Sequence, residues 1–198
     1  MTAAKAMLDE THTKLPQTST DQNNYTLGKV GGHNVVIVCL PSGVYGTTSA
    51  ATVVSEMWLT FPAVHYGLMV GIGGGVPSKE VDIRLVDVVV SKPTGTVSGV
   101  VQYDYSKAIK GRHFQCTGTL NQPLTILLNA ISQLESSKMM GKSQSISKMV
   151  SEVLDQNPNM KAAFSRPPPG CDHLFATADD YSKSENTCIS CDEGQQIN

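Results

Sequence analysis

Twice in its first half the chain runs an apolar, strand-like segment straight into glycine. Val35-Val36-Ile37-Val38-Cys39-Leu40 leads into Pro41-Ser42-Gly43-Val44-Tyr45-Gly46, and residues 65–72 lead into Gly73-Gly74-Gly75-Val76-Pro77. A continuous apolar run is the pattern of a strand covered on both faces. Glycine at its C-terminal end lets backbone N–H groups approach a ligand closely, and in open α/β sheets ligands bind at that edge. Between the two glycine loops, Ala50, Val54, Met57, Trp58 and Phe61 recur at helical spacing on one face. Thr47 or Thr48 is placed to cap that helix and Pro62 to stop it. A third strand is predicted over residues 86–91. Strand, loop, helix, strand, glycine loop, strand is the order of a mainly parallel or mixed sheet with helices on its faces.

The flanks fit the same class. Residues 25–30 and 34–40 read as strands joined by a Gly31-Gly32 hairpin turn. Ala3, Ala4, Ala6, Met7 and Leu8 read as an opening helix, where an α/β domain normally opens on a buried strand; the pattern predicts that such a strand lies upstream. Asn121 is a candidate cap for a helix with the stripe Leu124, Leu127, Leu128, Ile131 and Leu134. Another helix carries Ile146, Met149, Val150, Val153 and Leu154, and Asn157-Pro158 stops it. Arg166-Pro167-Pro168-Pro169-Gly170 is a stiff, extended spacer. We divide the chain into a domain over residues 1–175 and a polar, irregular tail over 176–198.

Composition removes several function classes. With 198 residues, 40% hydrophobic and 16% charged, the chain is long enough to bury a core. A net charge of -2, with no long basic run, gives no field for nucleic acid or an anionic membrane. No apolar run approaches the roughly 20 residues of a membrane-spanning helix. Five cysteines, unevenly spaced, with Cys39 inside an apolar run, point to a reducing, cytoplasmic or nuclear setting.

The glycine loops match no phosphate fingerprint. Gly71 and Gly73 fit the start of G-x-G-x-x-G, but Val76 occupies the last position, and no Gly-Lys-Ser/Thr follows. Each loop alone reads equally as a tight turn; two at one sheet edge carry more weight. The helix behind the first loop adds a partial positive charge there.

Three phrases together carry a resemblance. Leu40-Pro41-Ser42-Gly43-Val44-Tyr45-Gly46-Thr47-Thr48-Ser49-Ala50-Ala51, Gly67-Leu68-Met69-Val70-Gly71-Ile72-Gly73-Gly74-Gly75-Val76-Pro77 and Asp82-Ile83-Arg84-Leu85-Val86-Asp87-Val88-Val89-Val90-Ser91 follow in this order. They resemble the nucleoside phosphorylase and methylthioadenosine/adenosylhomocysteine nucleosidase superfamily. The likeness is greatest to its fungal branch, whose domain often precedes NTPase and repeat modules. The resemblance implies a three-layer α/β/α sandwich around a mixed central sheet, here incomplete relative to the family. It implies cleavage of a purine-type nucleoside N-glycosidic bond by phosphate or water, with no obligatory cofactor and phosphate as co-substrate where the reaction is phosphorolysis. Stabilising the cation-like sugar and protonating the leaving base are the tasks of such a site. Carried over by position, Gly43 and Val44 line the ribose side, and Gly71, Ile72, Gly73, Gly74 and Gly75 face the nucleophile and the sugar. Homo-oligomers are a further implication.

The departures bear on catalysis. Met69 stands where phosphorylases of the family often have arginine. Ile72 stands where serine or threonine holds phosphate or water, and an apolar side chain offers no hydrogen bond. Val86 stands where a glycine usually precedes the aspartate matching Asp87, and valine tolerates positive φ poorly. The family's water-holding glutamate would fall before Met1. Its ribose-binding acids and its serine-aspartate pair have no match, Asp179, Asp180, Glu185, Asp192 and Glu193 lying in irregular sequence. No catalytic residue is assigned. The family reading is thus an enzyme of reduced competence; the alternative is a non-catalytic nucleoside-sensing or interaction module, or the remnant of one from a multidomain receptor-like protein.

A separate reading concerns Cys188-Ile189-Ser190-Cys191, a C-x-x-C pair that with Cys171 and His173 completes a candidate Cys₃His structural zinc set. A solvated tail with free thiols is the competing reading. Tyr103-Asp104-Tyr105 follows the third phrase and reads as an exposed strand end or the border of a pocket.

Overall fold

The computed structural model describes residues 1–79, 81–95, 97–102, 106–109, 113–116, 120–168, 172–175, 194 and 196–197. The chain divides into two units. Unit 1 comprises Met1–Gly73 with Val150–Phe164; unit 2 comprises Gly74–Met149 with Ser165–Asn198.

Unit 1 is built on a three-stranded antiparallel sheet, β1 (Glu10–Thr11), β2 (Thr26–Val30) and β3 (His33–Ile37), in the order β1-β2-β3. A short helix α1 (Thr2–Ala6) precedes it. The β2–β3 hairpin turns at Gly31-Gly32, with Val30 opposite His33 and Gly31 at φ 57. A two-residue turn of this kind needs φ > 0, which glycine adopts without penalty. Asp9 locks the turn from the side, its carboxylate accepting from the Gly31 amide. β1 runs so close to Gly28 that a Cβ there would collide with the Glu10 carbonyl oxygen and lie 2.7 Å from Leu8 Cδ1.

Helix α2 (Thr47–Thr60) covers this sheet. Tyr25, Leu27 and Met57 are buried together, with Val36, Val38 and Phe61 packed around them. The Tyr25 and Phe61 rings meet edge to face at 4.9 Å, a favoured aromatic geometry. Two sequence expectations are corrected here. The helix is capped by Gly46 at φ 101, with Thr47 and Thr48 already inside it. Its buried stripe is centred on Val53 and Met57, and Trp58 is 53% exposed. Residues 53 and 57 are four apart and so share a face, whereas Trp58 is turned about 100° from Met57.

Helix α4 (Ile146–Gln156) buries only Leu154. Its C-terminal end is fixed by Asn157, whose backbone amide and side-chain Nδ2 both donate to the Val153 carbonyl, at 3.0 and 2.9 Å. A 3₁₀ turn (Pro158–Met160) and the short α5 (Lys161–Phe164) follow, as the Asn157-Pro158 stop predicts.

Unit 2 contains two antiparallel pairs, β4 (Ser106–Ile109) with β5 (His113–Cys116) and β6 (Leu174–Phe175) with β7 (Gln196–Ile197). It also holds α3 (Thr125–Met139). That helix is capped by Leu124, not Asn121, and buries no residue. Of its predicted stripe, Leu127, Leu128 and Ile131 are half-buried while Leu124 and Leu134 are exposed.

The chain is thus mixed α/β, and every strand pairing among the described residues is antiparallel. The strands predicted over residues 65–72 and 86–91 do not form among the described residues. Both segments are apolar, but a strand is fixed by cross-strand neighbours rather than by its own propensity. In residues 65–72 glycine at 67 and 71 weakens what propensity remains. In the second segment Val86 is taken into a turn instead. Among the described residues no helix is long and apolar enough to cross a membrane.

Candidate functional site

The first glycine loop is a built turn. The Val44 amide donates to the Pro41 carbonyl at 3.1 Å, and Gly43 sits at φ 78. That places glycine at the third position of a type II turn, where φ > 0 is required. Gly46, three residues on, opens α2 in an equally glycine-specific conformation. The loop delivers Gly43 and Val44 to the N-terminal end of the helix, and both are exposed.

The second loop is open from Gly71 to Gly74. A Cβ built on Gly71, Gly73 or Gly74 would meet nothing within 4 Å. Ile72 is fully exposed, and Met69 is 94% exposed. Gly75 differs, because a Cβ there would lie 2.6 Å from Ile83 Cγ2. Gly71, Ile72 and Gly73 belong to unit 1 with Gly43 and Val44, whereas Gly74 and Gly75 belong to unit 2. A Cβ on Gly43 would also meet nothing within 4 Å. Gly43, Gly71, Gly73 and Gly74 therefore present free backbone with no wall against it, and Gly75 is backed by Ile83.

The third phrase forms a tight turn in unit 2. The Asp87 amide donates to the Arg84 carbonyl at 3.1 Å, and the Arg84 amide donates back to Asp87 Oδ2 at 2.9 Å. Val86 stands at φ 63, the one positive-φ residue other than glycine among the described residues. For a β-branched side chain this is a steric outlier, and it occurs at the position the sequence flagged. Arg84 Nε pairs with Asp82 Oδ1 at 2.7 Å. The hydrogen bond and charge of Asp82 hold the guanidinium pKa above its ordinary value, with smaller help from Asp172 and Asp87 against partial desolvation. Asp172 Oδ1 accepts from the Leu85 amide at 3.4 Å. Arg84, Leu85, Val86, Arg166, Pro167, Pro168 and Asp172 line an open depression of about 640 Å³.

Sequence reasoning did not find one polar cluster in unit 1. Asp21 Oδ2 accepts from the Tyr25 hydroxyl at 2.8 Å and from the Thr60 hydroxyl, and Oδ1 accepts from the Asn23 amide at 3.0 Å. Asn23 Nδ2 donates to the Tyr25 hydroxyl and to the Val53 carbonyl. Partial burial on its own would raise the Asp21 pKa. The bonds from Thr60, Asn23 and Tyr25 outweigh it and hold the carboxyl below its ordinary value. Burial, with the Asp21 charge behind it, raises the Tyr25 phenol. The available signal was the Asp-x-Asn spacing, a common side-chain-to-backbone turn.

Of the candidate zinc set, Cys171, Cys188 and Cys191 lie outside the described residues, as do Tyr103, Asp104, Tyr105 and the five acidic residues of the tail. His173 is described and exposed, its ring 6.3 Å from that of Phe175. Among the described residues no three His, Cys, Asp or Glu side chains group as metal ligands.

No protein-family model matches the chain, and no solved structure matches it. A curated relative, a nucleotide-binding leucine-rich repeat (NLR)-like protein of Hyaloscypha variabilis, is 47% identical over 165 residues. The match takes in 83% of this chain and 16% of the relative, so the chain corresponds to a small part of that protein.

Proposed function

We propose that the chain is a nucleoside phosphorylase-like domain that recognises a purine nucleoside through its glycine loops. The architecture that goes with this reading is the three-layer α/β/α sandwich with a mixed sheet. The observation that carries the reading is Val86. The family pattern has glycine at this position, and here the backbone keeps a left-handed conformation although the side chain is valine. A valine gains nothing from such a conformation, so a turn retained against its own residue supports descent from a glycine-bearing one. The type II turn at Gly43 adds to it.

Cleavage is the weaker half of the family chemistry in this chain. Removing one preorganised hydrogen-bond donor from a reacting oxyanion typically lowers turnover about 10²- to 10³-fold, and Met69 and Ile72 supply no donor. The NLR-like relative favours a second reading, in which the domain senses a nucleoside for a larger receptor-like protein without turning it over.

The test is a product assay and a binding titration on the same sample. The chain is mixed with adenosine, inosine or methylthioadenosine, with and without phosphate. We expect binding without appreciable release of free base. Phosphate-dependent release would establish a phosphorylase, and release in water alone a nucleosidase. Gly71→Val isolates the site, because that glycine has no neighbour within 4 Å for the new side chain to disturb. Binding should fall at least about tenfold through blocked ligand approach, with the unfolding midpoint unchanged. Unaltered binding by Gly71→Val, or none of the three nucleosides bound, would refute the reading.

A further inference from the structure

We propose that Tyr45 stacks on the base of the bound ligand and makes the site favour a purine over a pyrimidine; the proposal rests on the nucleoside reading above. Among the described residues Tyr45 is the most exposed aromatic side chain, at 84%, against 53% for Trp58, 49% for Tyr66 and 42% for Phe164. Among those residues its ring has no aromatic neighbour and its hydroxyl no hydrogen-bond partner. Tyr25, by contrast, is buried and packed on Phe61. The fold does not use the Tyr45 ring, so its face is free for a ligand to cover, and a covered aromatic side chain removes roughly 150 to 250 Å² from water.

Placement selects this ring over the others. Tyr45 lies two residues after Gly43 and directly before Gly46. The backbone is tied on both sides of it: the Val44 amide donates to the Pro41 carbonyl, and the Gly46 carbonyl accepts from the Ala50 amide, each at 3.1 Å. Consecutive Cα atoms are about 3.8 Å apart, so a ligand that approaches the bare backbone of Gly43 comes within reach of the ring. Trp58 is too distant, about 16 Å along the α2 axis from Thr47. Tyr66 is already engaged, its ring meeting that of His65 at 6.3 Å.

The chemistry follows from what the loops lack. Gly43, Val44, Gly71, Ile72 and Gly73 offer a base edge no side-chain hydrogen bond. Stacking needs none, because every base has a flat π face. It does respond to ring area, and the two fused rings of a purine cover more of a phenol than the single ring of a pyrimidine.

Isothermal titration of the full chain with inosine, methylthioadenosine and uridine tests the assignment. The parent should bind the two purine nucleosides more tightly than uridine, and Tyr45→Phe should bind as the parent does. Tyr45→Leu keeps apolar bulk without a flat face. It should lose about ten- to a hundredfold in purine nucleoside affinity and narrow the gap to uridine. Urea midpoints of the three chains should coincide, because so exposed a ring supports no packing. A parent that binds purine nucleosides beside a Tyr45→Leu chain that binds them as tightly overturns the assignment and leaves the nucleoside reading intact. A parent that binds none of the three overturns both. Equal losses in Tyr45→Phe and Tyr45→Leu would assign the effect to the hydroxyl, and a lowered midpoint in Tyr45→Leu would make the ring structural; either result overturns stacking.

Discussion

Val86 holds a conformation that its own side chain opposes. Non-glycine strain of this kind amounts to about 1–3 kcal/mol. Glycine at the same position would remove the strain but lose roughly 0.5–1 kcal/mol through the entropy of the unfolded chain. Val86 is 62% exposed, so little buried apolar area would be given up. The strain is the larger effect, and Val86→Gly should stabilise the turn by about 1 kcal/mol. A urea midpoint shifted upward would bear this out; a downward shift would mean that the valine packs in a way its exposure does not reveal. Two residues before it, Arg84 holds the opposite position. Its backbone amide and carbonyl are both tied to Asp87, and its guanidinium is tied to Asp82. The turn is thus over-determined by polar contacts, which is how an unfavourable residue persists within it.

At the scale of elements, loop 17–25 is fastened to helix α2 by one carboxylate. Asp21 accepts from Thr60 in the last turn of the helix and from Tyr25 on the sheet side, while Asn23 reaches the Val53 carbonyl. Because the folded pKa of Asp21 lies below its unfolded value, the unfolded chain binds the proton more readily. The stabilisation is complete above about pH 4, and is lost as pH falls through the lowered folded value. Unfolding midpoints between pH 6 and pH 2 should therefore decline less steeply for Asp21→Asn than for the parent. Equal slopes would show that the carboxylate does not secure the loop. How much of this level was legible in the sequence follows from range. The Gly31-Gly32 hairpin, the extent of α2 and the Asn157-Pro158 stop are local chemistry, and each appears where the residues predict it. The face of α2 was read one step off, at Trp58 rather than Val53, because the covering partner decides a face. The strands over 65–72 and 86–91 were misjudged for a related reason. Apolar β-prone residues state a preference, while the neighbour that would satisfy it is a non-local matter. The glycine loops were legible as exposed backbone, and Val86 as a strained position. The Asp21 cluster was not, since it joins residues nearly forty positions apart.

Across the whole molecule, burial is uneven. Tyr25, Leu27, Val53, Met57 and Leu154 are the buried apolar residues among those described, and all five lie in unit 1. The described residues of unit 2 bury one polar side chain, Ser98, whose hydroxyl has no hydrogen-bond partner. Val76, Val81, Leu85, Val88, Val89 and Val90 all remain exposed there. With the buried apolar residues among those described confined to unit 1, unfolding has little more apolar area to expose. The denaturant slope m scales with that newly exposed area. At about 1 µM the urea m-value should be about 1 kcal/mol/M or less, at the bottom of the range for small proteins and well below that of a compact domain of this length. Adding a nucleoside that binds should raise the midpoint, because a ligand held by the folded chain alone stabilises it. A slope of about 3 kcal/mol/M at 1 µM would require apolar burial far beyond the five residues of unit 1, and would make the exposed valines of unit 2 part of a second core.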